Sequence, residues 1–422
     1  MIALYKTVRT FYIIAVFKNR SLLGLLAAEL ISLTGSSMTF LALPWFVLVT
    51  TGSTAKMAWV LAAEMLPIGL LGIPAGSVIA RLGAKRTMMV CDAVRGPLML
   101  VIPILHWIGH LSFPGLLAAT FAIGCFAAPY FSSSRLVVPE VAGEDERAVA
   151  SVNAVLGGAN QITQLLGPVL AGVLIAATSP ATVLVVDAAT YVVSFAIVAA
   201  VVRAGKRVAP TAASKGLFAG LKFLMNDHLL GPLVIVACLT NFVAQSLIVA
   251  INVLAYFHYH GDAHVAGFLF GSFGVGALLG AILAQQLAQR VDLQKLAAFA
   301  IVAMPLPLYL LAIELPWGAA VFVIGAFSFF TPLVNAPIIG ILTVRTPAAL
   351  RPKVMTSVMT IAMLAGPLGF LAGGFALDHV SLYKVFFVIA AALTITGLAF
   401  AAVLLRNRAA PDLVAMPDVA HG

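Results

Sequence analysis

Apolar residues in this chain come in long, nearly uninterrupted runs separated by short polar stretches. The runs lie at about 22–49, 56–80, 87–108, 112–134, 148–177, 181–202, 229–257, 265–287, 294–313, 317–343, 354–376 and 381–405. Each is long enough to cross the hydrocarbon core of a bilayer, which takes about 20 residues of helix. Backbone polar groups in lipid must bond within their own segment unless the strands of a barrel close on each other, and the alternating pattern of a barrel is absent. The pattern therefore predicts an all-α membrane protein with twelve transmembrane helices. Residues 1–20 carry Lys6, Arg9, Lys18 and Arg20 around a short apolar patch from Phe11 to Phe17. That patch is too short for a secretory signal and lacks a small-residue cleavage site, so it predicts an interfacial helix.

The chain divides in the middle. Ala204 to Ser214 is basic and turn-rich, and Gly216 to His228 then reads as a short amphipathic helix. Segments on either side repeat at an offset near 200. Gly167-Pro168 with Gly172 in span 5 answers Gly366-Pro367 with Gly373 and Gly374 in span 11. Ala128-Pro129-Tyr130 answers Thr331-Pro332-Leu333, and Ala148-Val149-Ala150-Ser151-Val152 answers Val354-Met355-Thr356-Ser357-Val358. Two related halves of six helices, an arrangement used for alternating access, follow from this. The expected organisation is an N-terminal segment (1–20), a six-helix bundle (21–203), a linker with an amphipathic helix (204–228), a second bundle (229–406) and a tail (407–422).

Composition agrees: 62% of residues are hydrophobic and 9% charged, with a mean hydropathy of +1.10, outside the range of a soluble domain. Charge sets the orientation. With the N-terminus in the cytoplasm, Lys and Arg number 21 on inside segments, against only Lys56 and Lys384 outside, which is the positive-inside pattern. Both termini are expected inside, in a bacterial cytoplasmic membrane. The net charge of +9 then reflects a face lying over anionic lipid and calls for no nucleic acid. Cys91, Cys125 and Cys238 are expected to pack within spans, and His258, His260 and His264 are ordinary loop histidines. No metal or cofactor is expected. No phosphate-binding Gly-rich loop with Lys and Ser/Thr appears, so nothing points to ATP hydrolysis or to an enzyme.

Over essentially its whole length the chain resembles the major facilitator superfamily. Gly76-Ser77-Val78-Ile79-Ala80-Arg81-Leu82-Gly83-Ala84-Lys85-Arg86 is similar to that family's signature between helices 2 and 3, with Ala80 where the family has an aspartate. The resemblance implies that Gly76, Arg81, Gly83, Lys85 and Arg86 latch the halves on the cytoplasmic side, with Asp92 and Arg95 supplying a substitute charge. Gly167, Pro168 and Gly172 are similar to the superfamily's helix 5 antiporter motif, with Thr163 replacing its earlier glycine, and imply a gating bend against a close helix contact. Glu29-Leu30-Ile31-Ser32-Leu33-Thr34-Gly35, Ala42-Leu43-Pro44, Thr51-Gly52-Ser53, Asp92 with Arg95, and Gly220-Leu221-Lys222-Phe223-Leu224 look most like the macrolide-efflux and siderophore-export branch. The arginine that many proton antiporters carry in helix 4 is missing.

Ionisable residues inside spans are costly and mark partners, wet cavities or protons. Glu29 stands in a polar stripe with Ser32, Ser36 and Thr39, at offsets of 3, 7 and 10 that share one helix face. It and Glu64, three residues before Pro67, are the proton-coupling candidates, against structural hydrogen bonding. Asp187, aligned with Thr190 and Ser194, is expected to be structural, since helix 6 is usually peripheral in the family. For substrate contacts the candidates are Asn160, Asn241, Gln245 and Asn335, the last between Pro332 and Pro337 where a helix break is expected. Glu140, Glu144, Asp145 and Glu146 form an acidic patch that can pair with the Arg81 segment or simply start helix 5. The expected function is proton-coupled export of a small amphipathic compound by a monomer in contact with membrane lipid. Lipid flipping, nutrient import and a transport-inactive sensor or scaffold remain open on sequence grounds.

Overall fold

The computed structural model describes residues 19–142, 146–203, 219–287, 290–347 and 350–406. The expected interfacial helix, most of the linker and the tail lie outside them, as do Glu144 and Asp145. Twelve helical spans lie among the described residues: α1 (Arg20–Thr51), α2 (Thr54–Leu82), α3 (Ala84–Trp107), α4 (Phe113–Ala142), α5 (Glu146–Ala177), α6 (Pro180–Ala200), α7 (Leu230–Val253), α8 (Ala263–Leu287), the shorter α9 (Leu293–Ala303), α10 (Trp317–Arg345), α11 (Arg351–His379) and α12 (Leu382–Arg406). Among the described residues there is no strand. A short helix at Ala219–Asn226 precedes α7, and its Gly220 packs directly on Lys353 of α11.

Local chemistry explains several boundaries. Asn19 caps α1 by accepting from Ser21 N at 2.9 Å, and Gly52 ends the helix in the left-handed region, with φ of 62°. Two spans depart from a plain α-helix. The ninth turns into a tighter 3₁₀ segment at Leu306–Ala312, because Pro305 and Pro307 each remove a backbone donor. The seventh ends in a π-turn at Leu254–His258. The break expected around Asn335 is absent: α10 runs unbroken through Pro332 and Pro337. A transmembrane helix tolerates proline where neighbouring helices and hydroxyls support the freed carbonyls.

The packing repeats with an offset of six helices. In the first half α1 packs on α5 and α6, α3 on α4 and α6, and α2 on α4. In the second, α7 packs on α11 and α12, α9 on α10 and α12, and α8 on α10. Across the halves, α2 meets α11 and α5 meets α8, two contacts that exchange under the same operation. The molecule is thus two pseudo-symmetric six-helix bundles.

The bundles touch closely at one end only. Call the end bearing the α1–α2 and α7–α8 connections the Gly52 end, and the opposite one the Arg81 end. At the Gly52 end a single apolar core draws on all twelve spans, from Met38–Leu48 of α1 to Leu382–Leu393 of α12. At the Arg81 end the apolar residues form separate cores, one confined to the N-terminal bundle and two to the C-terminal bundle. Glycines report the same gradient. A Cβ at Gly172 of α5 would stand 2.5 Å from the Ala263 carbonyl oxygen of α8, and one at Gly69 of α2 would stand 3.0 Å from Leu364 of α11. At Gly72 and Gly76 of α2 and at Gly157 and Gly158 of α5, a Cβ would meet nothing within 4 Å beyond its own helix among the described residues. The halves are closed at the Gly52 end and splayed at the Arg81 end.

Candidate transport site

All four mid-span carboxylates, Glu29, Glu64, Asp92 and Asp187, and the mid-span guanidinium, Arg95, belong to the N-terminal bundle. The α1 stripe read from the sequence turns into the interior of that bundle. Thr39 Oγ1 donates to Asp187 Oδ2 of α6 at 2.6 Å. Ser36 shares a 3.0 Å hydrogen bond with Tyr191 Oη. Such an approach of α1 to α6 requires glycine at position 35, where a Cβ would collide with Asp187 and Thr190.

Arg95 of α3 is the hub. Its Nη2 donates to Tyr191 Oη at 2.6 Å and to Ser36 at 3.4 Å, and its guanidinium lies 4.2 Å from the centre of the Tyr191 ring. Tyr191 in turn donates to Asp187 Oδ2 at 3.3 Å. One turn before Arg95, Asp92 accepts from Ser194 of α6 at 2.7 Å. Three helices thus supply a buried ion cluster, and taking out one partner would leave the others uncompensated in low dielectric.

The two coupling candidates stand at different places around this cluster. Glu29, 2% exposed, lies toward the Arg81 end of α1, with Ser134 and Arg135 of α4 as neighbours. Its Oε2 has no hydrogen-bond partner. Glu64 of α2 is half-buried, and Arg95 and Asp187 are its charged neighbours.

The gating candidates fall into two groups. Arg81 and Arg86 are exposed at the splayed end, and Gly83, with φ of 85°, joins α2 to α3. Lys85 Nζ donates to Ala199 O of α6 at 3.2 Å, inside its own bundle. Gly76 faces open space. The hydrogen bonds of Asp92 and Arg95 all stay in the N-terminal bundle. The second group lies at the closed end. Gly167 packs on Ser37 and Met38 of α1, Gly172 packs on Ala263 and Gly267 of α8, and a Cβ at Gly267 would stand 2.9 Å from the Pro168 carbonyl. Phe40 and Phe270, with ring centres 5.9 Å apart, and Trp45 and Tyr256, 5.4 Å apart, join the bundles there.

Of the substrate candidates, Asn241 donates to Ala362 O of α11 at 2.6 Å. Gln245 lies one turn further along α7 against Gly366 and Gly369, and its Oε1 is buried without a partner. Asn160 accepts from Gln164 Nε2 at 2.8 Å on α5, and Asn335 is exposed on α10. The structure places Asn241 and Gln245 side by side and leaves Asn160 and Asn335 apart. No cluster suited to a metal ion occurs among the described residues.

The sequence matches the profile of the transmembrane secretion effectors of the major facilitator superfamily over residues 13–420. The chain belongs to this family. A multidrug efflux pump named Tap, from Mycobacterium tuberculosis, is 27% identical over 386 residues, covering 89% of this chain and 91% of that one. Tap from Mycolicibacterium fortuitum is 25% identical over 412 residues, covering 95% and 99%. Among solved structures, the nucleoside transporter NupG superposes with a TM-score of 0.74 at 14% identity, over 90% of this chain and 98% of its own. The protein is a multi-pass membrane transporter of the major facilitator fold, and not an enzyme.

In this secretion effector Asp187, expected to be structural, is fully buried, and its carboxylate accepts from Thr39 of α1 and from Tyr191. Sequence reasoning passed over Tyr130 and Tyr191 as site residues. Their signal was present: each is a phenol in an apolar span, Tyr191 four residues after Asp187, and a buried phenol needs a partner for its hydroxyl.

Proposed function

We propose that this protein exports a small amphipathic compound from a bacterial cytoplasm in exchange for protons, and that the conformation described above is its cytoplasm-open state. The carrying observation is the gathering of three carboxylates, Asp92, Asp187 and Glu64, around the Arg95 guanidinium in the N-terminal bundle, with Glu29 buried further along α1, in a molecule that opens at the Arg81 end. A buried excess of carboxylate over cation is costly in the membrane, and a bound proton offsets it. Exchange then follows when the proton and the substrate favour different states of the same gate. The interior of the C-terminal bundle offers amides and apolar side chains, as suits an amphipathic compound. The basic Arg81 end is assigned to the cytoplasm by its charge, and the efflux relatives support the outward direction. Glu64 and Glu29 are the coupling groups in this reading.

The test uses purified protein in vesicles loaded with ethidium as an amphipathic probe. An imposed proton gradient should drive dye against its concentration gradient, with protons moving oppositely, and Glu64→Gln should uncouple the two. Dye movement that ignores the proton gradient would overturn the coupling, and lipid movement without dye movement would favour a flippase.

A further inference from the structure

Four polar atoms buried in the N-terminal bundle have no hydrogen-bond partner in the protein: Glu29 Oε2, Asp92 Oδ1, Arg95 Nε and Tyr130 Oη. Their residues are 2%, 1%, 5% and 1% exposed. An unmet buried polar group costs about 1–3 kcal/mol, so four in one bundle require a physical explanation. They are not scattered. The Tyr130 hydroxyl of α4 approaches Ser32 of α1 and Ser194 of α6 without making a well-directed bond. Ser194 also holds the other oxygen of Asp92. The guanidinium of Arg95 lies 5.6 Å from the Tyr130 ring centre. Glu29 sits one turn from Ser32 on the same face of α1, and the Ser134 hydroxyl lies beside it. A buried water needs two to four polar partners, and these carboxylates, hydroxyls and the guanidinium edge are groups that could supply them.

We propose that bound waters fill the interior of the N-terminal bundle among α1, α3, α4 and α6, and carry protons between Glu29 and the Arg95–Asp187 cluster by a route separate from the substrate cleft. From Glu29 to Thr39 the route follows ten residues of α1, about 15 Å. Each transfer balances. A water or the Tyr130 hydroxyl accepts a proton on its oxygen lone pair and passes its own O–H proton onward, and a carboxylate at either end takes up or releases one. Glu64 then senses the cluster's charge while substrate occupies the cleft. The proposal rests on the proton-coupled reading above.

Two measurements test it. In radiolytic hydroxyl-radical footprinting, bound water activates adjacent side chains, so Tyr130 should be oxidised several-fold faster than Trp45, which is as deeply buried, at 2% exposure, but in an apolar core. Tyr130 as inert as Trp45 overturns the water chain. In ethidium-loaded vesicles, Tyr130→Phe, which keeps the ring beside Arg95, should slow gradient-driven accumulation while leaving dye–dye counterflow unchanged. Asp187→Asn should lose accumulation with counterflow retained, and Asp187→Glu should restore part of it. Both variants accumulating dye like the wild type would overturn the conduit. A wild type indifferent to the gradient would instead overturn the coupling reading and the conduit with it, and the footprint would still report whether the waters are present.

Discussion

Replacing Gly172 with valine tests the seal at the Gly52 end. The first added carbon would stand 2.5 Å from the Ala263 carbonyl oxygen and 2.9 Å from the Gly267 Cα, whereas unstrained contacts lie at about 3.5–4.0 Å. Both neighbours are backbone, so relief requires α5 and α8 to part by about 1 Å, with the remaining valine carbons adding to the demand. Overpacking of this kind costs about 1–3 kcal/mol. The cost falls only on the state in which these helices touch, so the closed-to-open ratio at this end should drop by roughly 5- to 150-fold. A reporter is Ala266→Cys on α8, buried in the shared core, in a background with Cys91, Cys125 and Cys238 replaced. Its labelling by a membrane-impermeant maleimide added from outside should rise in Gly172→Val. The control is Gly157→Val on the same helix, where a Cβ meets nothing within 4 Å and outside labelling should stay low. Equal labelling in both variants would refute the assignment of the α5–α8 contact as the gate.

Removing Arg95 as Arg95→Met leaves buried carboxylates without their cation and should cost about 3–5 kcal/mol, read as a lower melting temperature in detergent and partly recovered by adding Asp187→Asn; an unchanged melting temperature would contradict the hub role. Gly35→Val pushes a side chain onto Asp187 and Thr190 and should lower the yield of folded protein, while Gly76→Val at the splayed end should not. Pro168→Ala should leave protein in the membrane but reduce exchange, since the Pro168 carbonyl packs on Gly267 and alanine restores a backbone donor that proline lacks; normal exchange would remove that role. Tags at Gly52 or Gly261 should be reachable from outside and tags near Ala212 or the C-terminus only from inside, and an outside-accessible linker would invert the orientation.

The twelve spans were legible in the chain because lipid leaves a backbone no other way to satisfy its hydrogen bonds, so length and apolarity of a run suffice. Duplication was legible as well, since the Gly-Pro pairs at 167 and 366 fall on α5 and α11, helices that correspond under the six-helix offset. The polar stripe of α1 could be read from spacing, but not the direction it faces. That depended on Gly35 letting α6 approach, and on Arg95 meeting a tyrosine 96 residues away, contacts that no local pattern records. Asp187 looked peripheral because helix 6 borders lipid on one side, yet its opposite face closes the ion cluster. The proline pair at 332 and 337 suggested a break on local grounds, but the surrounding bundle keeps α10 continuous. Which end of the molecule is closed was likewise undecided by sequence. Glycines occur along both α2 and α5, and only the relative tilt of two packed bundles determines which of them meet a neighbour.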